Sequence, residues 1–236
     1  MNLILLNASD FISESCVQFE GARLAHIQNV HGSKIGDTVR VGQLDGLIGL
    51  GTITELGQHK LTLEVSFDQK PPAKLPLTII LALPRPKMIR RIFRTVAELG
   101  VERLCVINSY RVEKSFWQSP ALDEHNVHQY LIEGLQQAKD TALPQVSFHK
   151  RFKPFVEDEL PGIIEGSQAL LAHPSLGESC PHQLNRPITL AIGPEGGFIP
   201  YEVEKLQAVG FEGIHLGKRI LKVENALTTL TAKLYS

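Results

Sequence analysis

Cysteine, long apolar runs and, over one stretch, negative charge are what this sequence has least of. Only three cysteines occur, Cys16, Cys105 and Cys180, far apart and with no Cys-x-x-Cys pair. That pattern excludes a disulfide framework and a thiolate zinc site, and it fits a reducing compartment. His26 and His31 lack a second ligand at metal spacing, so they read as surface histidines and no metal is expected. No apolar run approaches the roughly 18 residues of a membrane-spanning helix. The start, MNLILLNASD, lacks the basic flank and long apolar core of a secretory leader and reads as a first strand. A cytoplasmic protein without membrane contact is expected. Between Asp68 and Glu98 no acidic residue occurs, whereas Lys70, Lys74, Arg85, Lys87, Arg90, Arg91 and Arg94 all fall there. The formal net charge of −1 makes no general case for a polyanionic partner, but that window does.

What is present is an ordinary globular composition, 43% apolar and 21% charged, arranged in two grammars. Up to about Val65, short alternating segments such as Thr38-Val39-Arg40-Val41 and Leu61-Thr62-Leu63-Glu64-Val65 are separated by turn signals at Gly36-Asp37 and Asp45-Gly46. They predict a small antiparallel sheet, closed as a barrel, over residues 1–69. The polar, proline-rich joint Gln69–Lys74 marks a domain boundary. From residue 75 to 236, continuous apolar runs (Leu77–Leu83, LCVI, Ile188–Ile192) alternate with helical patterns at Lys87–Leu99, Asp123–Lys139 and Tyr201–Val209. That is the α/β pattern of a mostly parallel sheet covered on both faces, with its ligand site beyond the carboxyl ends of the strands. Lys150–Gly166 is mixed in charge and supports no assignment.

On the first of these helices Ile89, Ile92, Phe93 and Val96 form the buried stripe. Lys87, Arg90, Arg91 and Arg94 follow the spacing 0, 3, 4, 7 on another face, without the acids at i+4 that a solvated helix usually carries. RNA or another polyanion is the expected partner of that face, a plain solvent surface its alternative.

Two further stretches carry chemistry. LAIGPEGGFIP, Leu190–Pro200, runs from a buried strand through a glycine turn into a helix. LGKRILKVENA, Leu216–Ala226, does the same after the strand Gly213-Ile214-His215. Neither is a P-loop or a Gly-x-Gly-x-x-Gly fingerprint, which removes the two commonest nucleotide readings. Two such turns line one pocket if their strands are neighbours.

The pair IGPEGGF and LGKRILKVENA resembles the signatures of the RsmE family, SPOUT-class methyltransferases that methylate ring N-3 of a uridine in 16S ribosomal RNA. The resemblance extends to AELGV (Ala97–Val101), the surroundings of Arg111, LLAHPS (Leu170–Ser175) and the N-terminal barrel. It implies a PUA-like RNA-binding barrel followed by a SPOUT α/β domain with a trefoil knot. It also implies S-adenosyl-L-methionine as cofactor, ribosomal RNA or the small ribosomal subunit as partner, and a homodimer whose active sites straddle the interface. Leu171, His173, Gly193, Glu195, Gly196, Leu216, Gly217, Ile220 and Leu221 are the implied cofactor residues. The alternative for Ile220 and Leu221 is that they are ordinary core side chains. Arg111 is the candidate to hold the imide anion left when the acceptor nitrogen loses its proton, and Glu224 to orient the base or an arginine, or to favour a helix N-terminus. Arg219 joins Arg85, Lys87, Arg90, Arg91 and Arg94 as a candidate RNA contact. The sequence departs from the family at Thr95, Gln136, Asp140, Val223, Asn225 and His31-Gly32, more at RNA-facing than at cofactor positions. A SPOUT enzyme with another RNA or target atom, and a non-catalytic RNA-binding assembly factor, stay open as alternatives.

Overall fold

The computed structural model describes residues 3–21, 23, 24 and 34–235; His26, His31 and Gly32 lie outside them. The chain divides into two compact units, Met1–Ala73 with Ile132–Leu143, and Lys74–Leu131 with Pro144–Ser236. The break falls in the proline-rich joint. Residues 132–143, expected in the second domain, cluster instead with the first. Long-range bonds hold them there: Leu3 N–H donates to Gln136 O at 3.0 Å, Thr141 Oγ1 to Gly46 O at 2.5 Å and Leu143 N–H to Asp45 Oδ1 at 2.8 Å.

Among the described residues the first unit holds six strands: β1 (Ile4–Leu6), β2 (Phe11–Ser13), β3 (Cys16–Phe19), β4 (Thr38–Gln43), β5 (Ile48–Leu56) and β6 (Leu61–Gln69). Their order is β1-β4-β5-β6-β3-β2. All pairs are antiparallel except β1 with β4, which is parallel. The expected antiparallel sheet is therefore mixed. The alternation seen in the sequence survives as a core of Val17, Val39, Val41, Ile53, Leu61 and Leu63, each at most 1% exposed. The outermost strands of the order, β1 and β2, are consecutive in the chain and joined only through Asn7 and the 3-10 turn Ala8–Asp10. Five strand spacings across a flat sheet come to about 24 Å, while the chain from Leu6 to Phe11 reaches at most about 17 Å. The sheet is therefore curled.

The second unit is a seven-stranded sheet of order β11-β13-β10-β12-β7-β8-β9. Its strands are β7 (Leu75–Ala82), β8 (Val101–Ile107), β9 (Gln145–His149), β10 (Gln168–Ala172), β11 (Glu178–Ser179), β12 (Ile188–Ile192) and β13 (Glu212–His215). Every pair is parallel. The central strands β7 and β12 are buried on both faces, which is why they read as unbroken apolar runs. Four helices are α1 (Pro86–Glu98), α2 (Glu124–Ala138, passing into the first unit after Leu131), α3 (Pro200–Ala208) and α4 (Val223–Tyr235). On α1 the expected stripe Ile89, Ile92, Phe93 and Val96 is fully buried. Losing Phe93 to alanine costs about 3–5 kcal/mol on that basis. The unassigned stretch after β9 is a helical run, Phe152–Pro154, Phe155–Glu159 and Leu160–Ile164, whose middle section is π-helical.

Candidate active site

Strand register sets the geometry of the site. Ala172, the last residue of β10, pairs with Ile192 at the end of β12 and with Ile214 near the end of β13. Three parallel strands thus stop level with one another, and the loops that follow leave the same edge of the sheet. The glycine-loop strands β12 and β13 are not neighbours, as the one-pocket reading required. Strand β10 lies between them, and its own following loop supplies a third wall. Together the three loops enclose a cavity of about 400 Å³, lined by residues 172–174, 192–198, 214–217 and 219–223 and closed by Ala226 and Leu230 of α4.

Of the residues implied for the cofactor, His173, Gly193, Glu195, Gly196, Leu216, Gly217, Ile220 and Leu221 line this cavity, and Arg219 lines it too. Leu171 does not. It is fully buried in β10, and the wall begins one residue later at Ala172, because the cavity lies beyond the strand's end rather than over its face. Ile220 is 81% and Leu221 38% exposed, which removes the alternative that they are core side chains. Two large apolar groups thus stand exposed at the cavity wall.

The glycines are required for two different reasons. Gly217 adopts φ +96°, where an L side chain is strained. A Cβ on Gly196 would stand 2.9 Å from Arg111 Cδ, so the bare position there makes room for the protein's own arginine. Arg111 Nη1 donates to Gly196 O, so the arginine singled out in the sequence is tied to the glycine loop although it does not itself line the cavity. Glu224 stands half-buried in the first turn of α4, between the lining residues Val223 and Ala226. There it complements the helix dipole.

Several contacts were not legible in the sequence, although His173 and Glu195 are among the implied cofactor residues. His215 Nδ1 accepts the Gly217 N–H at 3.1 Å, and His173 Nδ1 accepts the Ser175 N–H at 3.2 Å. Each histidine stands at a strand end, His173 just after β10 and His215 as the last residue of β13, and pins the amide two residues on. With Nδ1 as acceptor, each ring proton resides on Nε2. Burial lowers the pKa of His173, which favours this neutral form. The recurrence of strand, histidine and a small residue two positions later is the signal that could have found the pair. Glu195 Oε1 accepts the Arg85 N–H at 3.1 Å, linking the glycine loop to the N-cap of α1. Glu202, 2% exposed, accepts from the Ile199 N–H at 3.0 Å and the Tyr110 N–H at 2.7 Å. Its place at the third position of α3, from which a glutamate reaches back to the N-cap backbone N–H, is its only trace in the sequence.

On α1, Lys87, Arg90 and Arg91 are exposed, as is Arg85 just before it. Arg94 is a partial exception to the expected basic face. It is half-buried, with its guanidinium 4.7 Å from the Tyr130 ring centroid and Nη1 donating to Arg90 O at 3.1 Å. Among the described residues no cluster of His, Cys, Asp or Glu is placed to hold a metal. No helix there is long and apolar enough to cross a membrane.

A family model described as an RNA methyltransferase domain matches residues 71–235. The ribosomal RNA small subunit methyltransferase E of Treponema pallidum is 27% identical over 233 residues, covering 96% of this chain and 87% of that protein. The methyltransferase of the same name from Synechocystis is 28% identical over 239 residues, covering 98% and 76%. The fold is shared with a crystal structure of the Neisseria gonorrhoeae ribosomal RNA small subunit methyltransferase E bound to S-adenosyl methionine, with a TM-score of 0.76 at 20% identity over 98% of this chain and 96% of that one. The matched region contains the whole seven-stranded sheet and all three cavity loops, and the chain belongs to the family of RNA methyltransferase domains.

Proposed function

We propose that this protein transfers a methyl group from S-adenosyl-L-methionine to ring N-3 of a uridine in 16S ribosomal RNA. The observation that carries the reading is the cavity at the level ends of β10, β12 and β13, walled by bare backbone on one side and by the solvent-exposed Ile220 and Leu221 on another. Its volume of about 400 Å³ lies within the roughly 300–1,000 Å³ of small-molecule sites. The donor set fits an adenosine. Backbone polar groups of 193–197 and 216–217 that the loops do not themselves bond serve the polar edge, and the two apolar side chains serve the face of the base.

When bound, the cofactor supplies an electrophilic methyl group on a sulfonium. The protein's part is positioning, since an in-line displacement needs no covalent bond to the enzyme. The acceptor nitrogen of uracil carries a proton that has to leave, and the imide anion that results is stabilised by a nearby cation. Arg111 fills that role. A guanidinium has five N–H donors, and the bond to Gly196 O uses one of them. Glu224, flanked by lining residues, orients the base. Arg219, at the cavity wall, and Arg85, Lys87, Arg90 and Arg91, exposed at α1, take the RNA backbone, while the target nucleotide is splayed out of any helix.

The same reading assigns the curled six-stranded sheet as a PUA-like RNA-binding barrel, the loops around the cavity as part of a trefoil knot, and the working unit as a cytoplasmic homodimer. Calorimetry with S-adenosyl-L-methionine tests the cofactor, and a protein that does not bind it is an RNA-binding assembly factor instead. A nucleoside map of small-subunit RNA from a deletion strain, with and without complementation, tests the reaction. N-3-methyluridine is expected to disappear and return; an undiminished amount in the deletion strain refutes the assignment of the target atom.

A further inference from the structure

We infer that Glu202 is a positioning residue that presents Tyr110 and Arg111 to the substrate by clamping the turn after β8 onto the glycine loop. The inference rests on the proposed methyl transfer for its consequence and on the following contacts for its geometry. Glu202 is buried, 2% exposed, and its carboxylate bridges two segments far apart in sequence. Oε1 accepts the Tyr110 N–H at 2.7 Å. Oε2 accepts the Ile199 N–H at 3.0 Å and lies 3.5 Å from Ser109 Oγ, itself buried. Arg111 Nη1, one residue beyond Tyr110, donates to Gly196 O, three residues before Ile199. Carboxylate, turn, arginine and glycine loop therefore form a closed ring.

A helix cap would need only the Ile199 bond. Glu202 also takes the amide of a turn on another strand, and burying an ionised carboxylate is favourable only when its hydrogen bonds are made. The turn it fixes is unusual in what it exposes. Tyr110 is 80% exposed and stands next to the exposed Arg111 in the chain, so the fixed backbone carries an aromatic side chain and a cation side by side in solvent. That pair is the surface on which an unstacked RNA base is received. Without the clamp, an exposed arginine held by one bond to a carbonyl samples many rotamers, and the orientation is lost.

Glu202→Gln tests this with little change of shape. The amide oxygen can accept from one of the two N–H groups, and the NH2 group then faces the other donor. In the cofactor-free protein, hydrogen exchange is expected to accelerate at 109–111 and at Ile199 together. Acceleration confined to the start of α3 would reduce Glu202 to a cap and overturn the inference. In methyl transfer, Glu202→Gln is expected to lower kcat about tenfold in the native background and less than twofold in an Arg111→Ala background, because both changes remove the same orientation. Equal losses in both backgrounds overturn the inference. If Glu202→Gln does not fold, Glu202→Asp, which keeps the charge but reaches only one segment, replaces it in both measurements with the same two outcomes. A wild-type protein that methylates no uridine while the coupled exchange persists would sink the functional reading and leave the clamp standing.

Discussion

Replacing Gly217 by alanine separates the backbone's part in the cavity from that of the side chains. Gly217 sits at φ +96°, and a Cβ there would meet nothing within 4 Å, so conformational strain is the whole perturbation. Such a backbone costs about 1–3 kcal/mol for a residue with a side chain. The loop can escape the strain by rotating φ, but it then gives up the Gly217 N–H bond to His215 Nδ1, worth about 0.5–1.5 kcal/mol. Residues 217–220 are exposed, so the adjustment stays local and the sheet beneath is undisturbed. The thermal midpoint is therefore expected to change little. The cost reappears on binding, when the loop has to return to its left-handed turn, and about 1–3 kcal/mol corresponds to a loss of affinity of roughly 5- to 150-fold. Calorimetry with S-adenosyl-L-methionine on both proteins reads that difference directly. Gly177→Ala serves as the contrast: its Cβ would overlap the Gly213 carbonyl in β13, so there the melting temperature falls. A Gly217→Ala protein that binds as tightly as the native one would refute the claim that this turn shapes the cofactor site.

Ile220→Ser and Leu221→Ser are each expected to weaken cofactor binding about tenfold, about 1.4 kcal/mol, just below the roughly 1.5–3 kcal/mol of burying such a side chain fully. Their thermal midpoints should stay unchanged, because at 81% and 38% exposure these residues contribute little to the free protein's core; melts beside calorimetry check both halves. Reversing Arg90 and Arg91 to glutamate is expected to reduce the slope of log affinity for RNA against log salt by about 1.4, two single-strand phosphate contacts at roughly 0.7 each. An unchanged slope would make that face plain solvent surface. Tyr235 Oη donates to Pro76 O at 2.8 Å, and burial, helped by the charge of Glu102, pushes its pKa up to about 12. A folded-state pKa raised from the ordinary 10 gives stability that is complete below about pH 10 and is lost as pH rises through about 12. Urea unfolding at about pH 9 and pH 11.5 should show that loss in the native protein and a smaller one in Tyr235→Phe.

The parts of this protein that can be read in its sequence are those whose physical cause is local. Strand β12 occupies Ile188–Ile192, as read from the sequence, because a strand covered on both faces shows as an unbroken apolar run. Helix α1 is legible because its buried stripe recurs at helical spacing. The glycine turns declare themselves through residue type alone. What stayed hidden depends on partners far away in the chain. Nothing within β12 or β13 announces that β10 inserts between them, and nothing in 132–143 announces its bonds to Asp45 and Gly46. Gly196 shows the limit most clearly. From the sequence its missing side chain reads as room for a ligand, but the nearest atom to its absent Cβ belongs to Arg111, 85 residues earlier. A glycine motif thus locates a site without saying what each glycine is for. Gly196→Ala should accordingly act first on Arg111, whose side-chain end can move aside, and so lower turnover more than cofactor affinity, the reverse of Gly217→Ala.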